Sequence, residues 1–392
     1  MSKNATGSQS YVAVLKQDPT KPREIPVNPV MQMVNFDADT LAMELDTGTS
    51  NHIRPDRMTA DLNVKGFTVG GGYSFEFQFE NSLADELLQA FLWAKNWSTP
   101  WVDVDVAGAV ITAAGVWDMS GVVSPPEITS GQGFKLSGTG NSGENDGFYY
   151  LTEVSTDTFQ MEPPPKADET LVAGAVLTGS MIRNGSVYQP FFIERGHLDV
   201  SQYFKFVGMS ANILSLDFPD QDDVTGSYDF VGLFRKIEPA VEAGATYTQP
   251  TNSPVFSTSN NMPLALMDGV PLESCFIKEL DMELNNNVTP KTGIGVYGAC
   301  ATNAHRLSIS GKISLYFEDE TVQTQFEHGT PLSIAWVVED ANGHGYMFRL
   351  PRIKYDTAKN NVTSVDDDVM DDATYVATAD PDTACMIQID KF

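Results

Sequence analysis

Three glycines, Gly138, Gly140 and Gly143, match the G-x-G-x-x-G pattern with which a strand-to-helix turn cradles a pyrophosphate. That chemistry needs a helix N-terminus directly after the glycines. Phe148, Tyr149 and Tyr150 follow instead and read as another strand, so the glycines are expected to form a β-turn. The acidic run Asp366, Asp367, Asp368, Asp371 and Asp372 has the residue type for calcium but lacks the alternating ligands, central glycine and final glutamate of an EF-hand loop. It is read as a solvated turn leading into a strand around Tyr375. The five histidines (His52, His197, His305, His328, His344) form neither an H-x-x-x-H pair nor an H-E-x-x-H zinc helix, and G-x-S-x-G does not occur. Carboxylate pairs of the glycosidase kind arise anywhere in a chain with 52 acidic residues, so their presence carries no weight. No catalytic, cofactor-binding or metal-binding residue is assigned, and an enzyme is not expected.

The totals narrow the classes further. A formal charge of −28, from 52 acidic against 24 basic residues, opposes attraction to phosphate backbones or anionic membranes. DNA near this protein is repelled. Cys275, Cys300 and Cys385 are odd in number and far apart, so they suggest buried free thiols in a reducing compartment and not a disulfide framework. The polar N-terminus lacks the apolar core of a secretion signal, and no apolar run approaches the ~20 residues of a membrane span. The chain is expected to stay soluble inside a cell or to leave without a classical signal.

What must position any surface of interest is a β-rich unit that occurs twice. Leu41, Met43 and Leu45 recur as Leu280, Met282 and Leu284, and Phe67, Val69, Gly71, Tyr73, Phe75 and Phe77 as Leu307, Ile309, Gly311, Ile313, Leu315 and Phe317. A spacing of about 240 residues means a duplicated domain and not a short-repeat solenoid. From Tyr73 to Glu80 the alternation is complete, with aromatic rings on one face and Ser74, Glu76, Gln78 and Glu80 on the other. The period then changes: Ser82 with Asp85 can cap a helix carrying Leu83, Leu87, Leu88, Phe91 and Leu92, and Thr321 to Glu327 is its shorter second copy.

The expected fold is mainly β: two tandem β-sandwich or barrel units, each with a flanking helix, plus a small inserted β domain. Residues 1–30, broken by Pro19, Pro22, Pro26 and Pro29, read as an extended arm. Residues 31–99 and 189–238 form the first unit, 100–188 the insert, 239–261 a Pro, Ser and Thr-rich linker, and 262–392 the second unit. Glu76, Gln78, Glu80 and Glu318 are candidates for the lining of a lumen, should the sheets close into a ring.

The stretch from His52 through Arg54 to Arg57, then Gly70-Gly71-Gly72, Phe75-Glu76-Phe77 and the Leu87-Leu88 helix, resembles the opening of the major tail tube proteins of long-tailed bacteriophages. Phe192-Ile193-Glu194-Arg195-Gly196, Tyr203-Phe204, Gly208-Met209, Leu350-Pro351-Arg352-Ile353 and Asp367-Asp368-Val369-Met370 follow in the order that family shows. The resemblance spans roughly residues 35 to 390. It implies a structural virion protein whose rings stack into a hollow tail through which double-stranded DNA passes without specific binding. Each unit's sheet then joins its neighbours' in a continuous barrel. The family's inter-ring hairpin carries over to the loop 47–57 and its second copy 286–306, making His52, Arg54, Arg57, His305 and Arg306 the inter-ring candidates.

The implied partners are further copies of the chain, a tape measure protein and the tail terminator and tip proteins, with no membrane. The implied location is the virion tail, assembled in the host cytoplasm. Two units per chain predict trimeric rings with pseudo-sixfold symmetry, and the insert is placed outside the tube. A secreted or surface β-sandwich binding carbohydrate is the second reading. Paired exposed tryptophans would favour it, whereas Trp93, Trp97, Trp101, Trp117 and Trp336 are scattered along the chain.

Overall fold

Alternating residues such as Tyr73, Ser74, Phe75 and Glu76 fill one side of a strand with rings and leave the other polar, so the chain is built from sheets with one wet face. A computed structural model describes residues 5–392 apart from 54, 57, 59–60, 80–82, 124–125, 141, 156–157, 273–276, 363 and 365–367. Its principal strands are β1 (Ser10–Lys16), β2 (Ala42–Thr49), β3 (Leu62–Glu76), β4 (Val176–Arg183), β5 (Pro190–His197), β6 (Gln202–Phe218) and β7 (Thr225–Gly232). They continue with β8 (Ile277–Asn285), β9 (Ser308–Tyr316), β10 (Leu332–Glu339), β11 (Gly345–Lys359), β12 (Met370–Ala377) and β13 (Gln388–Lys391). Two helices, α1 (Leu83–Phe91) and α2 (Thr321–His328), lie at corresponding places in the two halves. The fold is mainly β, as the alternation predicts.

Eight strands form one antiparallel sheet in the order β2-β3-β7-β6-β8-β9-β12-β11. The β6 to β8 pairing, with Leu214 opposite Leu284, joins the two halves edge to edge. The halves share two irregularities, although β2–β3 shifts at Asp46/Thr47 and β8–β9 at the non-equivalent Ile277/Glu279. The β5–β6 ladder shifts register between Phe191 and Ile193, and the β10–β11 ladder between Leu332 and Ile334. The β6–β7 ladder shifts between Ala211 and Ile213, and the β11–β12 ladder between Tyr355 and Thr357. Gly71 faces Phe230 just as Gly311 faces Tyr375.

One alignment drawn from the sequence slips. Met43 faces Val69 and Leu284 faces Ile309, so Met43 corresponds to Leu284, two residues away from the sequence match of Leu45 with Leu284. Side chains alternate with period two, so a two-residue slip keeps every residue on its face and is invisible to pattern matching.

The core lies on the inner side of this sheet. Phe75 stacks on Tyr228 at 4.5 Å and Phe91 of α1 stacks on the same ring at 4.8 Å, so the helix is pinned to β3 and β7 by aromatic packing. Seven of the nine residues of α1 are buried, and Asp85 and Glu86 in its first turn suit the positive end of the helix dipole. Ser82, the expected cap, lies outside the described residues. In the second half Trp336 stacks on Phe348 at 5.5 Å, and α2 buries Val322 before Gly329 ends it. One apolar cluster runs through both halves, from Val12 to Ile389.

Three regions differ from expectation. The N-terminal segment is not a free arm throughout, because β1 pairs with β5 and buries Val12 and Val14; the apolar run 11–15 outweighs the prolines after it. The stretch read as a linker holds Thr246–Thr248, paired in parallel with Val30–Met33, and buried Phe256. Tyr247 and Tyr11 both donate to the buried Glu194 carboxylate, at 2.5 and 2.6 Å, which ties these segments together. The Tyr73 to Glu80 alternation holds in burial through Phe79, but past β3 its strand pairing is reduced to a bridge between Gln78 and Val255.

The insert has its own core around Trp117, Phe134, Leu136 and Leu177. The three glycines form a hairpin turn between Gly133–Ser137 and Gly147–Val154, closed by Thr139 bonding Asp146 at 2.8 Å. The insert packs on the second half, although it leaves the chain in the first. Within β4, Val176 and Leu177 pair inside the insert while Ser180 to Arg183 pair with β13, and Phe148 and Tyr150 pack against Ala335, Val337 and Met347.

A polar group seals that junction. The Arg349 guanidinium lies 3.9 Å from the Tyr150 ring centre. The buried Asp390 carboxylate accepts from the Gly133 N–H at 2.9 Å and from the Gln388 amide at 2.7 Å. Burial pushes the Asp390 carboxyl up to about 6 from its ordinary 3.8, against the pull of these donors and of Arg349 and Arg183. Between those values the folded chain holds a proton that the unfolded chain has released. Stability from this group is therefore full below the lower value and falls as pH rises toward 6, by roughly 3 kcal/mol. Denaturant melts of wild type and Asp390→Asn from pH 4 to 7.5 are expected to show the wild type losing more stability over that range.

Candidate assembly surface

Filling the core side of the eight-stranded sheet leaves the alternate residues on its other face, and, with Val231, Lys312, Tyr316 and Val376 as exceptions, most of these are small, polar or acidic. They include Thr68, Ser74 and Glu76 on β3, Ser227 and Asp229 on β7, Ser215 and Asp217 on β6, Glu279, Asp281 and Glu283 on β8, and Ser308, Ser310 and Ser314 on β9. At the seam between the halves, Asp217 stands directly opposite Asp281. Burial raises both carboxyls above their ordinary value, and neighbouring Glu279 adds to the rise. Lys312 partly offsets the crowding, holding Glu279 at 2.8 Å and lying 3.8 Å from Asp372. The acidic rows on β7, β6 and β8 oppose the approach of a polyanion.

The edges of the sheet are its second feature. Among the described residues β2 pairs only with β3, and the stretch of β11 after Ile353 pairs only with β12. The backbone groups on their far sides therefore have no strand beside them, and open edges of this kind recruit another strand. Glu44 and Asp46 are exposed on β2, and Lys354 and Lys359 are exposed on β11. None of the four makes an ion pair within the chain among the described residues.

Of the lumen candidates, Glu76 is exposed at the end of β3 on the polar face, opposite Thr225. Gln78 is committed elsewhere: its amide donates to the Ser253 carbonyl at 2.9 Å and accepts from Asn35 at 2.8 Å. Glu318 is exposed just beyond β9. Glu80 lies outside the described residues.

Of the loop candidates, His52 is exposed between β2 and β3, while Arg54 and Arg57 lie outside the described residues. The second loop folds as a small hairpin, Thr289–Lys291 against Ala301–Asn303. Its base is laid on the first half, where the buried Asn286 amide donates to the Phe91 carbonyl at 2.8 Å and Ser210 meets Thr302 at 2.6 Å. Tyr297 sits edge-on to Phe67 at 5.0 Å, and the tip exposes Ile294 and Val296. His305 bonds Thr289 at 2.8 Å and Arg306 is exposed, its carbonyl accepting from Asn287.

The features read first from the sequence resolve into structural roles. Asp368 and Asp372 are exposed and the strand around Tyr375 forms as expected, whereas Asp371 is buried at the start of β12 and accepts from Gln323 at 2.9 Å; Asp366 and Asp367 lie outside the described residues. Cys385 is buried, whereas Cys300 is exposed on the hairpin, contrary to the expectation of buried thiols; Cys275 lies outside the described residues. Trp101, Trp117 and Trp336 are buried and Trp93 and Trp97 half-buried. The edge positions of Glu44, Asp46, Lys354 and Lys359 are not legible in the sequence, because nothing local marks a strand as an edge.

No helix among the described residues is long and apolar enough to cross a membrane. A model of the phage tail tube protein family matches residues 7–379 of the chain. No curated protein matches it.

Proposed function

The chain belongs to the phage tail tube protein family, a structural component of the virion tail, and from that membership we propose that it polymerises as stacked rings into a hollow tube conducting double-stranded DNA. The observation that carries this reading is the single eight-stranded sheet with a polar, acidic face and two open edges. Curving that sheet into a ring puts the polar face on the lumen, where Glu76, Asp217, Asp281 and Glu283 repel the DNA backbone and let it slide.

The two halves are tandem copies of one tube unit. The matched bulges and the Gly71 and Gly311 positions support this. Three chains then make a pseudo-sixfold ring closed by heterologous contacts. With a formal charge of −28 on every chain, rings repel one another at low salt. Stacking therefore rests on buried apolar area and strand pairing, with His52, Arg54, Arg57 and the hairpin around Ile294 as contacts between rings. The insert lies on the outside of the tube. Tape measure, terminator and tip proteins are the remaining tail partners, and assembly takes place in the host cytoplasm before the tail joins the virion.

Negative-stain electron microscopy of the purified protein, before and after raising salt, tests the reading. Hollow rings or tubes are expected, more of them at high salt. Monomers at every salt concentration, with no tubes on prolonged concentration, would contradict it.

A further inference from the structure

We infer that neighbouring chains join by antiparallel pairing of β11 of one with β2 of the next, in the register set by the β6–β8 seam inside each chain. This rests on the ring reading above and specifies its contact. In the seam, Leu214 faces Leu284 and Ser215 faces Glu283. Ile213 follows the bulge in β6 as Thr357 follows the bulge in β11, so Leu214 and Ser215 correspond to Ala358 and Lys359. Leu284 corresponds to Met43, and hence Glu283 to Ala42. The junction between chains therefore puts Met43 opposite Ala358 and Ala42 opposite Lys359.

Three further observations fit this partner. The open side of β11 is the side on which β10 pairs earlier along the strand, because Ile353 meets Leu332 on one side and Ala377 on the other. In β6 the equivalent side, where β5 pairs, is the one that β8 occupies. Met43 and Ala358 are both half-buried and both already pack against the main core, so their pairing extends it without a break. The charges complement: Lys359 comes diagonally beside Glu44, and Lys354 lies toward Asp46, with Asp356 at the bulge between the lysines. The intramolecular seam sets Asp217 against Asp281, whereas the equivalent positions at the junction are Asn361 and Thr40. The contact between chains thus lacks the like-charge pair that the covalent connection tolerates.

Cysteine cross-linking on assembled protein tests the register. Ala42→Cys and Lys359→Cys are placed on one full-length chain with Cys275→Ser and Cys300→Ser, leaving the buried Cys385, and Ala42→Cys with Lys354→Cys in the same background serves as the out-of-register control. On oxidation the first pair is expected to give covalent dimers and closed trimers, with yield at least about tenfold above the control. Chains carrying one introduced cysteine each should cross-link only when the two kinds are mixed. Rings or tubes in the microscope that fail to cross-link, or that cross-link equally through the control pair, would overturn this register and leave the tube reading standing. Absence of any rings would overturn both.

Discussion

Replacing Ala358 with proline is expected to abolish rings while leaving the isolated chain folded. In the seam, the Asn286 N–H bonds the Asn212 carbonyl, which places the backbone groups of alternate residues, Leu214 among them, toward β8. Ala358 is the equivalent of Leu214, so its N–H points to the open side of β11. On the facing strand the Thr40 N–H bonds Gly72, which turns the groups of Met43 outward. Proline at 358 removes that donor and puts a ring where the next strand must lie. Each junction loses a hydrogen bond worth about 1 kcal/mol, plus the steric cost. A ring of three closes through three such junctions, so the ring population should fall by at least roughly a hundredfold. Sedimentation velocity reports the ring and a thermal melt reports the monomer. Unchanged rings would show that β11 is not at the interface; a collapsed melting temperature would show that the N–H serves the monomer.

The second large effect is expected at two glycines that the repeat equates. A Cβ on Gly311 would sit 2.1 Å from the Asp281 carbonyl oxygen and 2.5 Å from the Tyr375 hydroxyl. On Gly71 it would sit 2.2 Å from the Thr40 carbonyl oxygen, at a φ of +93 that side chains rarely adopt. In both halves the glycine lets the first strand cross close over the second. Gly71→Ala and Gly311→Ala should each cost about 3 kcal/mol, since the obstacle is backbone and cannot rotate away. Gly66→Ala in the same strand meets nothing within 4 Å and is the control. Urea melts of the three variants decide it. Similar losses at 71 and 311 support equivalence of the halves, and a loss at one alone would argue against it.

Much of the architecture was legible in the sequence because it depends on local periodicity. The aromatic alternation of β3 and the helical spacing of α1 are read within a few residues, and the structure has both; Gly71 and Gly311 stand opposite Phe230 and Tyr375, as the proposed repeat expects. The strand before each glycine was placed two residues out, since alternation alone cannot distinguish registers that share a face. The segments 10–16 and 246–248 were assigned to an arm and a linker because their pairing partners lie far away along the chain. Of the assembly surface, Glu76 was legible as a polar position on an alternating strand. The open edges were not, because being an edge is a property of what a strand lacks on one side. Gln78 shows the converse: its alternation is right, but a distant loop captures its amide.

The tandem reading is tested most directly by the mass of a single ring. Native mass spectrometry of rings freed from short tubes should give three chains of 42.8 kDa, with sixfold features in averaged end-on images of the same rings. A ring of six chains, or end-on views with no sixfold modulation, would contradict the account that two units in one chain replace two chains.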